Sequence, residues 1–226
     1  RYPLLRKAFS RFNIEDAGFK RFIRSKEAFD YALFMAIKYA SGQKHFYEWE
    51  KPLRSREEKA LKKFAKENKQ ELLFWQFVQY IAKTEWINLK KYANKKGVSI
   101  MGDMPLYVAL DSVDVWKNPH LFKLDENFTP KKVAGVPPDY FSEDGQLWGN
   151  PVYDYDCHAK DDFAWWTKRL KKALEIYDLV RIDHFRALDR YYEIDYGATD
   201  AKIGEWIKVP SEELFTAIHK SVDKKR

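Results

Sequence analysis

The chain has 226 residues, 45% of them hydrophobic, and a formal net charge of +7. This apolar content allows a substantial core, which excludes a disordered chain, and the length suits one or two domains. No apolar run approaches the roughly 18 residues that a membrane-spanning helix needs, so we expect no membrane partner. The single cysteine, Cys157, excludes an internal disulfide framework and fits a reducing compartment, so we expect a cytoplasmic protein.

The positive charge is concentrated in residues 51–69, KPLRSREEKALKKFAKENK. Glutamates are interleaved with the lysines there. Mixed charges on a helix are typical of a solvated face, with a phosphate-binding surface as the alternative, so we expect no nucleic-acid partner. The five histidines show no metal-ligand spacing, and we expect neither a metal nor another cofactor.

The first 95 residues or so have the pattern of helices. Residues 28–40, AFDYALFMAIKYA, repeat apolar side chains at helical spacing, and Gly42 is a suitable stop. Residues 71–97 predict a longer amphipathic helix that ends at Gly97. This helix carries an apolar stripe that we expect to be core: Phe74, Trp75, Val78, Ile81 and Trp86.

Two short apolar runs later in the chain each lead directly to a carboxylate. Val98–Met101 predicts a strand before Asp103, and Leu179–Asp183 predicts a second strand. Between them lie a long loop rich in proline, glycine and aromatic residues and then a predicted helix with Asp161 or Asp162 as its N-cap. This order is typical of βα units with parallel strands, whose carboxyl ends carry catalytic residues in barrels.

The second strand pairs an arginine with an aspartate. Because alternate residues of a strand share a face, Arg181 and Asp183 should point one way and Val180, Ile182 and His184 the other. A guanidinium beside a carboxylate favours the charged form, which a carboxylate nucleophile needs. The alternative is a structural ion pair at a strand end.

Four segments together resemble a known family, the 4-alpha-glucanotransferases (amylomaltases or disproportionating enzymes) of glycoside hydrolase family 77. In chain order they are GDMPLYVALDSVDVWKNP, VAGVPPDYFSEDGQLWGNPVYDY, LVRIDHFRALDRYYEI and GEWIKVPSEELF. The resemblance runs from about residue 20 to the C-terminus. The second segment and RIDHFR are specific in combination, whereas an RxD pair alone is not.

The resemblance implies an α/β fold, specifically a partial (β/α)8 TIM-type barrel with a largely helical insertion. Residues 1–70 would be the helical subdomain or insertion. Residues 71–226 would supply βα units, with Val98–Met101 as the third barrel strand and Leu179–Asp183 as the fourth. Family members transfer a segment of one α-1,4-glucan to another with retention of configuration, so the expected partner is an α-1,4-glucan or maltooligosaccharide.

The same resemblance assigns roles to individual residues. Asp183 matches the catalytic nucleophile, Arg181 the arginine that orients it, and His184 a substrate-contacting histidine. Asp103 matches a motif position where it either binds substrate or only holds the loop after the third strand. Four further residues match a lid-like loop beside the bound sugar, with packing of that loop as their alternative role: Asp139, Tyr140, Gln146 and Trp148.

The family's acid/base glutamate lies in an AEDLG-type motif on the next strand, and a third carboxylate follows in an HD pair. Neither motif occurs among the 226 residues, so we expect an internal fragment that is inactive alone. Without general acid–base help about 10²–10⁴-fold in rate is lost. Open barrel edges predict self-association. The alternative functions are an α-amylase-like glucan hydrolase and a non-catalytic module that binds glucan or nucleic acid.

Overall fold

A computed structural model of the chain describes residues 2–222 and contains both helices and strands. The α-helices are α1 Tyr2–Phe9, α2 Ala17–Phe22, α3 Lys26–Ala40, α4 Lys51–Arg54, α5 Glu58–Glu67, α6 Lys69–Lys95, α7 Val113–Lys117, α8 Tyr155–Ala159, α9 Ala164–Ile176 and α10 Ser211–Ser221. The strands are β1 Met101–Met104, β2 Lys132–Val136, β3 Gln146–Pro151, β4 Leu179–Ile182, β5 Arg190–Asp195 and β6 Glu205–Lys208.

The chain divides into two compact units, Arg1–Leu89 and Lys90–Arg226, so the division falls within α6. The predicted domain boundary after residue 70 stays a prediction. No helix in the described part of the chain is both long and apolar enough to cross a membrane.

Helices build the first unit, as the sequence predicts. The hydroxyl of Ser25 accepts a hydrogen bond from the Ala28 N–H at 3.1 Å and so caps the start of α3. Gly42 and Gly97, which follow α3 and α6, adopt positive φ values of 68° and 77°, which glycine tolerates best. The predicted helices over 28–40 and 71–97 are therefore confirmed.

Aromatic side chains form much of the first unit's core. Phe19, Phe46 and Phe74 are almost completely buried, and Phe74 and Trp75 confirm two of the five residues of the predicted apolar stripe of α6. The other three stripe residues are only partly buried, because α6 extends beyond the helices that cover its first half: Val78, Ile81 and Trp86. In the basic segment 51–69 no residue is buried, in keeping with a solvated face.

The second unit contains a parallel pair of strands, β1 and β4, in which Met101 faces Leu179 and Asp103 faces Arg181. The predicted strand over 98–101 is wrong by about three residues. The Val98 N–H donates to the Ala93 carbonyl at 3.0 Å, and the Ile100 N–H donates to the Asp178 carboxylate at 2.8 Å. These amides are thus engaged before the strand begins, and Asp103 lies inside it.

A four-stranded antiparallel sheet has the strand order β3-β2-β5-β6, and two of its strands, β2 and β3, lie within the segment that the sequence predicts as a long loop. Strand β2 pairs with β3 on one side and with β5 on the other. Val133 of β2 and Ile194 of β5 face each other in register and are buried. The loop prediction is wrong for β2 and β3, because β2 pairs with β5, whose residues are too distant in sequence to appear as a local pattern.

The start of α9 also differs from the prediction. Phe163 holds the N-cap position in the left-handed conformation, with φ 55°, and its ring is buried. The Asp161 carboxylate still accepts a hydrogen bond from the Ala164 N–H at 3.2 Å. Asp161 thus caps the first turn from two residues further back than an ordinary N-cap, and Asp162 is exposed.

His158 in α8 is fully buried against aromatic rings, and this burial lowers its pKa to about 4. The Asp161 and Asp154 carboxylates and the Leu121 carbonyl oppose the lowering, whereas His120 adds to it. The rings that surround the imidazole are those of Tyr153, Tyr155, Trp165 and Trp166. The fold therefore holds a histidine that is neutral near pH 7 and costly to protonate.

We expect this histidine to destabilise the fold in acid. An unfolded histidine binds its proton near pH 6.5, whereas the folded one binds it only near pH 4, so the free energy of unfolding falls as the pH drops through this window. The full effect is on the order of 3 kcal/mol.

Urea unfolding of wild type and His158→Gln between pH 7 and pH 4 measures it. In His158→Gln the free energy of unfolding should depend much less on pH than in wild type. His219→Gln, at an exposed position, should keep the wild-type pH dependence. Equal slopes in all three proteins would contradict the assignment.

Candidate functional site

Three charged side chains meet where β1 and β4 lie side by side. The Arg181 guanidinium donates through one Nη to the Asp103 carboxylate at 2.9 Å and through the other to the Asp183 carboxylate at 2.5 Å. The three side chains remain 56–58% exposed, so solvent and solutes reach them. The expected placement of Arg181 and Asp183 on one side of the strand is confirmed. Asp103 joins them because the strand register sets it opposite Arg181.

The backbone turns sharply after β4, at His184. The Asp183 N–H donates to the Met104 carbonyl at 3.3 Å, and His184 then adopts a left-handed conformation with φ 51°. Its ring packs edge-on against Trp148, with 4.8 Å between ring centroids. Burial lowers the pKa of His184, and its Nε2 is buried without a hydrogen-bond partner in the part of the chain that is described. The imidazole is therefore uncharged near neutral pH.

Trp148 links this histidine to the antiparallel sheet. Its indole N–H donates to the Gln146 side-chain oxygen at 3.0 Å, so two of the predicted loop residues touch each other on β3. Its ring also approaches Tyr107, at 6.2 Å between centroids. The Trp148 side chain remains partly exposed, which leaves an aromatic surface open to a ligand.

Asp139 and Tyr140 occupy a separate tight turn. The Asp139 carboxylate accepts hydrogen bonds from the N–H groups of Phe141 and Ser142, both at 2.9 Å. Tyr140 and Phe141 are 97% and 91% exposed, and their rings contact each other at 5.5 Å. The interactions of Asp139 and Tyr140 thus lie within their own turn. The structure does not bring these two residues to the carboxylates.

A second polar cluster lies at the other end of the strand pair. Asp178 accepts hydrogen bonds from the Ile100 N–H at 2.8 Å and from the Asn94 amide at 2.7 Å, and pairs with Lys90 at 3.3 Å. These contacts, led by the Ile100 N–H, hold the pKa of Asp178 below its usual value. Sequence reasoning missed the cluster, because its partners are 78 to 88 positions apart and form no local motif.

A close contact between the strands explains the glycine of GDMP. The Tyr177 ring packs directly on Gly102, where an added Cβ would lie 2.1–2.4 Å from three ring carbons. Such a distance is well inside van der Waals contact, so no side chain fits there without displacing the ring. Together with Asp178, this contact fixes how the start of β4 meets β1.

The arrangement suits a carboxylate nucleophile. A guanidinium that is hydrogen-bonded to a carboxylate stabilises its charged form, and solvent exposure leaves the oxygens accessible. Both carboxylates share the one guanidinium. Among residues 2–222, no group of three or more His, Cys, Asp or Glu side chains is placed to hold a metal ion.

Comparison with known proteins identifies relatives along the whole chain. A sequence profile of the family described as 4-alpha-glucanotransferase matches residues 1–226. The 4-alpha-glucanotransferase of Clostridium butyricum is 45% identical over 223 residues, which are 97% of this chain and 46% of that protein. The Thermus thermophilus 4-alpha-glucanotransferase is 46% identical over 226 residues, or 96% and 45% of the two chains.

A solved structure agrees with the sequence comparison. The amylomaltase of Streptococcus agalactiae, solved in complex with acarbose, superposes with a TM-score of 0.92 at 42% identity. The superposition covers 96% of this chain and 45% of the amylomaltase. The present chain therefore spans a little under half the length of the relatives that it matches.

The Gly102 contact is testable by substitution. Gly102→Ala should lower the free energy of unfolding by about 1–3 kcal/mol, because the new methyl group collides with the Tyr177 ring. Urea denaturation measures the loss. Tyr177→Leu in the Gly102→Ala background removes the collision and should recover part of it, so the two substitutions should not be additive. Strict additivity would show that the ring is not the obstacle.

Proposed function

Because the chain belongs to the 4-alpha-glucanotransferase family, we propose that it supplies the nucleophile side of a site that transfers segments of α-1,4-glucans. The observation that carries the proposal is the Arg181 guanidinium shared between Asp103 and Asp183 at two adjacent parallel strands. In parallel barrels, catalytic side chains come from the carboxyl ends of such strands. The reaction retains configuration by double displacement.

In this proposal Asp183 attacks the anomeric carbon of the donor glucan and forms a covalent glycosyl-enzyme intermediate. The bond to the leaving glycosidic oxygen breaks, and an acceptor sugar hydroxyl later displaces Asp183. Arg181 orients the carboxylate through its hydrogen bond. Asp103 binds the other arm of the guanidinium and lies beside the sugar, as a substrate-binding residue.

Substrate contacts come from the aromatic and polar side chains around this cluster. The partly exposed Trp148 offers an apolar face to a sugar ring, and its neighbours His184 and Gln146 offer polar atoms. Asp139 and Tyr140 belong to the exposed turn, which would act as a lid over a bound glucan. The ligand class is supported by the related amylomaltase, which was solved in complex with acarbose.

We also propose that β1 and β4 are the third and fourth strands of a (β/α)8 barrel. Their parallel pairing and the helix α9 that precedes β4 are supporting features, since parallel neighbours need a long crossover. Residues 1–70 would be the helical insertion and 71–226 the barrel part. The alternative function, an α-amylase-like hydrolase, would use the same nucleophile with water as the acceptor.

The acid/base carboxylate of the proposed mechanism is not among the carboxylates that the site assembles. A retaining enzyme needs a second carboxyl group about 5–5.5 Å from the nucleophile to protonate the leaving group. Since Asp103 is bound to Arg181, it does not serve as that acid. The 226-residue polypeptide by itself should therefore be inactive or nearly so.

An activity test requires the missing carboxylate to be supplied. Residues 1–226 would replace the matching stretch of the Clostridium butyricum enzyme, and maltotriose would be the substrate. We expect glucose and longer maltooligosaccharides, separated by chromatography. Asp183→Asn should lower the rate by about 10⁴-fold or more, since it removes the nucleophile. Asp195→Asn, at an exposed carboxylate of β5, should leave the rate close to wild type.

Each part of this experiment has a result that would contradict the proposal. An Asp183→Asn graft as active as its parent would reject the nucleophile assignment. Glucose and maltose without longer products, at any acceptor concentration, would favour the hydrolase. Robust disproportionation by the 226-residue polypeptide alone would show that it needs no further carboxylate.

We also expect the chain to self-associate through the strand pair β1 and β4. In the described residues β1 and β4 each pair on one side only, and apolar side chains near them are exposed, among them Tyr92, Val98 and Met101. We expect the average mass measured by light scattering to rise with concentration. Met101→Lys should reduce the rise, because it places a charge on the edge strand. Ile203→Lys, at an apolar position 83% exposed elsewhere, should not. A monomer at all concentrations would contradict the proposal.

A further inference from the structure

Arg169 lies outside the carboxylate cluster but holds the segment that leaves β1. From α9, its two terminal nitrogens donate to the carbonyls of Leu106, at 2.7 Å, and Pro105, at 2.5 Å. The guanidinium also lies over the rings of Trp165 and Trp166, at 5.2 and 5.8 Å from their centroids. One side chain of α9 thus binds two successive backbone carbonyls of the segment that follows β1.

The carbonyl of Leu106 is held from a second side as well. The Tyr153 hydroxyl donates to it at 2.7 Å, and both Leu106 and Tyr153 are buried. Arg169 itself lies 3.5 Å from that hydroxyl. Because buried carbonyls need partners, and hydrogen bonds from a charged donor are the stronger kind, this contact is a firm anchor for the chain.

Arg169 binds the backbone just after the β1–β4 hydrogen-bond ladder ends. Strand β1 is four residues long, and Met104 is its last residue. Pro105 has no N–H and contributes no further donor to the ladder. Asp103 is therefore one residue from the end of a short strand. After Met104, whose carbonyl accepts from the Asp183 N–H at 3.3 Å, the backbone is next held at the pair of carbonyls bound by Arg169.

We propose that Arg169 is a positioning residue for the carboxylate cluster. By fixing the exit of β1 it keeps Asp103 against Arg181, and through that shared guanidinium it sets the orientation of Asp183. The effect on catalysis rests on the proposed function, whereas the effect on the strand pair does not. Arg169 acts through the backbone and touches neither the substrate nor the cluster.

Hydrogen–deuterium exchange followed by mass spectrometry tests the structural part on the 226-residue protein. In Arg169→Ala, amides in peptides over 101–106 and 179–184 should exchange about 10-fold or more faster than in wild type, because a charge-assisted anchor is lost. Peptides within α9 should change little. Lys171→Ala, at an exposed position of the same helix, is the matched control and should match wild type throughout.

The outcomes show whether Arg169 positions the two strand segments or only stabilises the fold as a whole. Faster exchange confined to the two strand segments supports the proposal. Equal acceleration in α9 and the strands, or no change in the strands, overturns it. If the circular dichroism of Arg169→Ala shows an unfolded protein, Arg169→Lys decides instead. A lysine reaches one carbonyl and not both, so its strand exchange should lie above the wild-type rate with α9 unchanged, and strand exchange at the wild-type rate would overturn the proposal.

The grafted enzyme tests the catalytic part. Arg169→Ala should lower kcat for maltotriose disproportionation about 10-fold, with KM within about 2-fold, because an orienting contact is lost and no substrate contact is. Arg169→Lys should recover part of the rate. A wild-type graft without activity would count against the proposed function and leave the exchange result to decide the strand effect. An active graft whose kcat is insensitive to Arg169→Ala would overturn the catalytic part.

Discussion

The bidentate use of Arg181 is the interaction on which the candidate site depends. One guanidinium bonds Asp103 on one strand and Asp183 just beyond the other, at 2.9 and 2.5 Å. All three side chains are more than half exposed, so the pairs are screened by water and contribute little to stability. The arrangement instead sets the orientation of the two carboxylates. A planar guanidinium with two donors facing two carboxylates fixes the orientation of both, which a lysine in its place would not do.

The cluster holds only if β1 and β4 keep their register, and contacts away from it maintain that register. Asp178, the residue that precedes β4, accepts a hydrogen bond from the Ile100 N–H, just before β1. The Tyr177 ring fills the space that the absent side chain of Gly102 leaves. Arg169 holds the backbone beyond β1. A shift of one residue in either strand would send Asp103 or Arg181 to the opposite face. Stability and function are thus carried by different parts of the same strand pair.

The sequence alone predicts the local parts of this picture. Alternation along LVRID correctly places Arg181 and Asp183 together, and helical spacing with glycine stops locates α3 and α6. The strand before Asp103 is misplaced, because the Ile100 amide is taken by a carboxylate 78 residues later. The β2–β5 pairing and the contacts of Arg169 are missed for the same reason, since long-range pairing leaves no periodic signature. The roles of the site residues came from resemblance to a family and not from periodicity.

The turn that carries Tyr140 and Phe141 differs in character from the strand pair. Two aromatic rings are more than 90% exposed, yet the backbone beneath them is held by two hydrogen bonds to Asp139. Large apolar side chains in water contribute little to folding, and under the proposed function these two rings would be available to a sugar. A turn that is already ordered loses little entropy when it binds. Under the proposed function, such a surface favours a sugar acceptor over water, because aromatic faces bind sugar rings and exclude solvent.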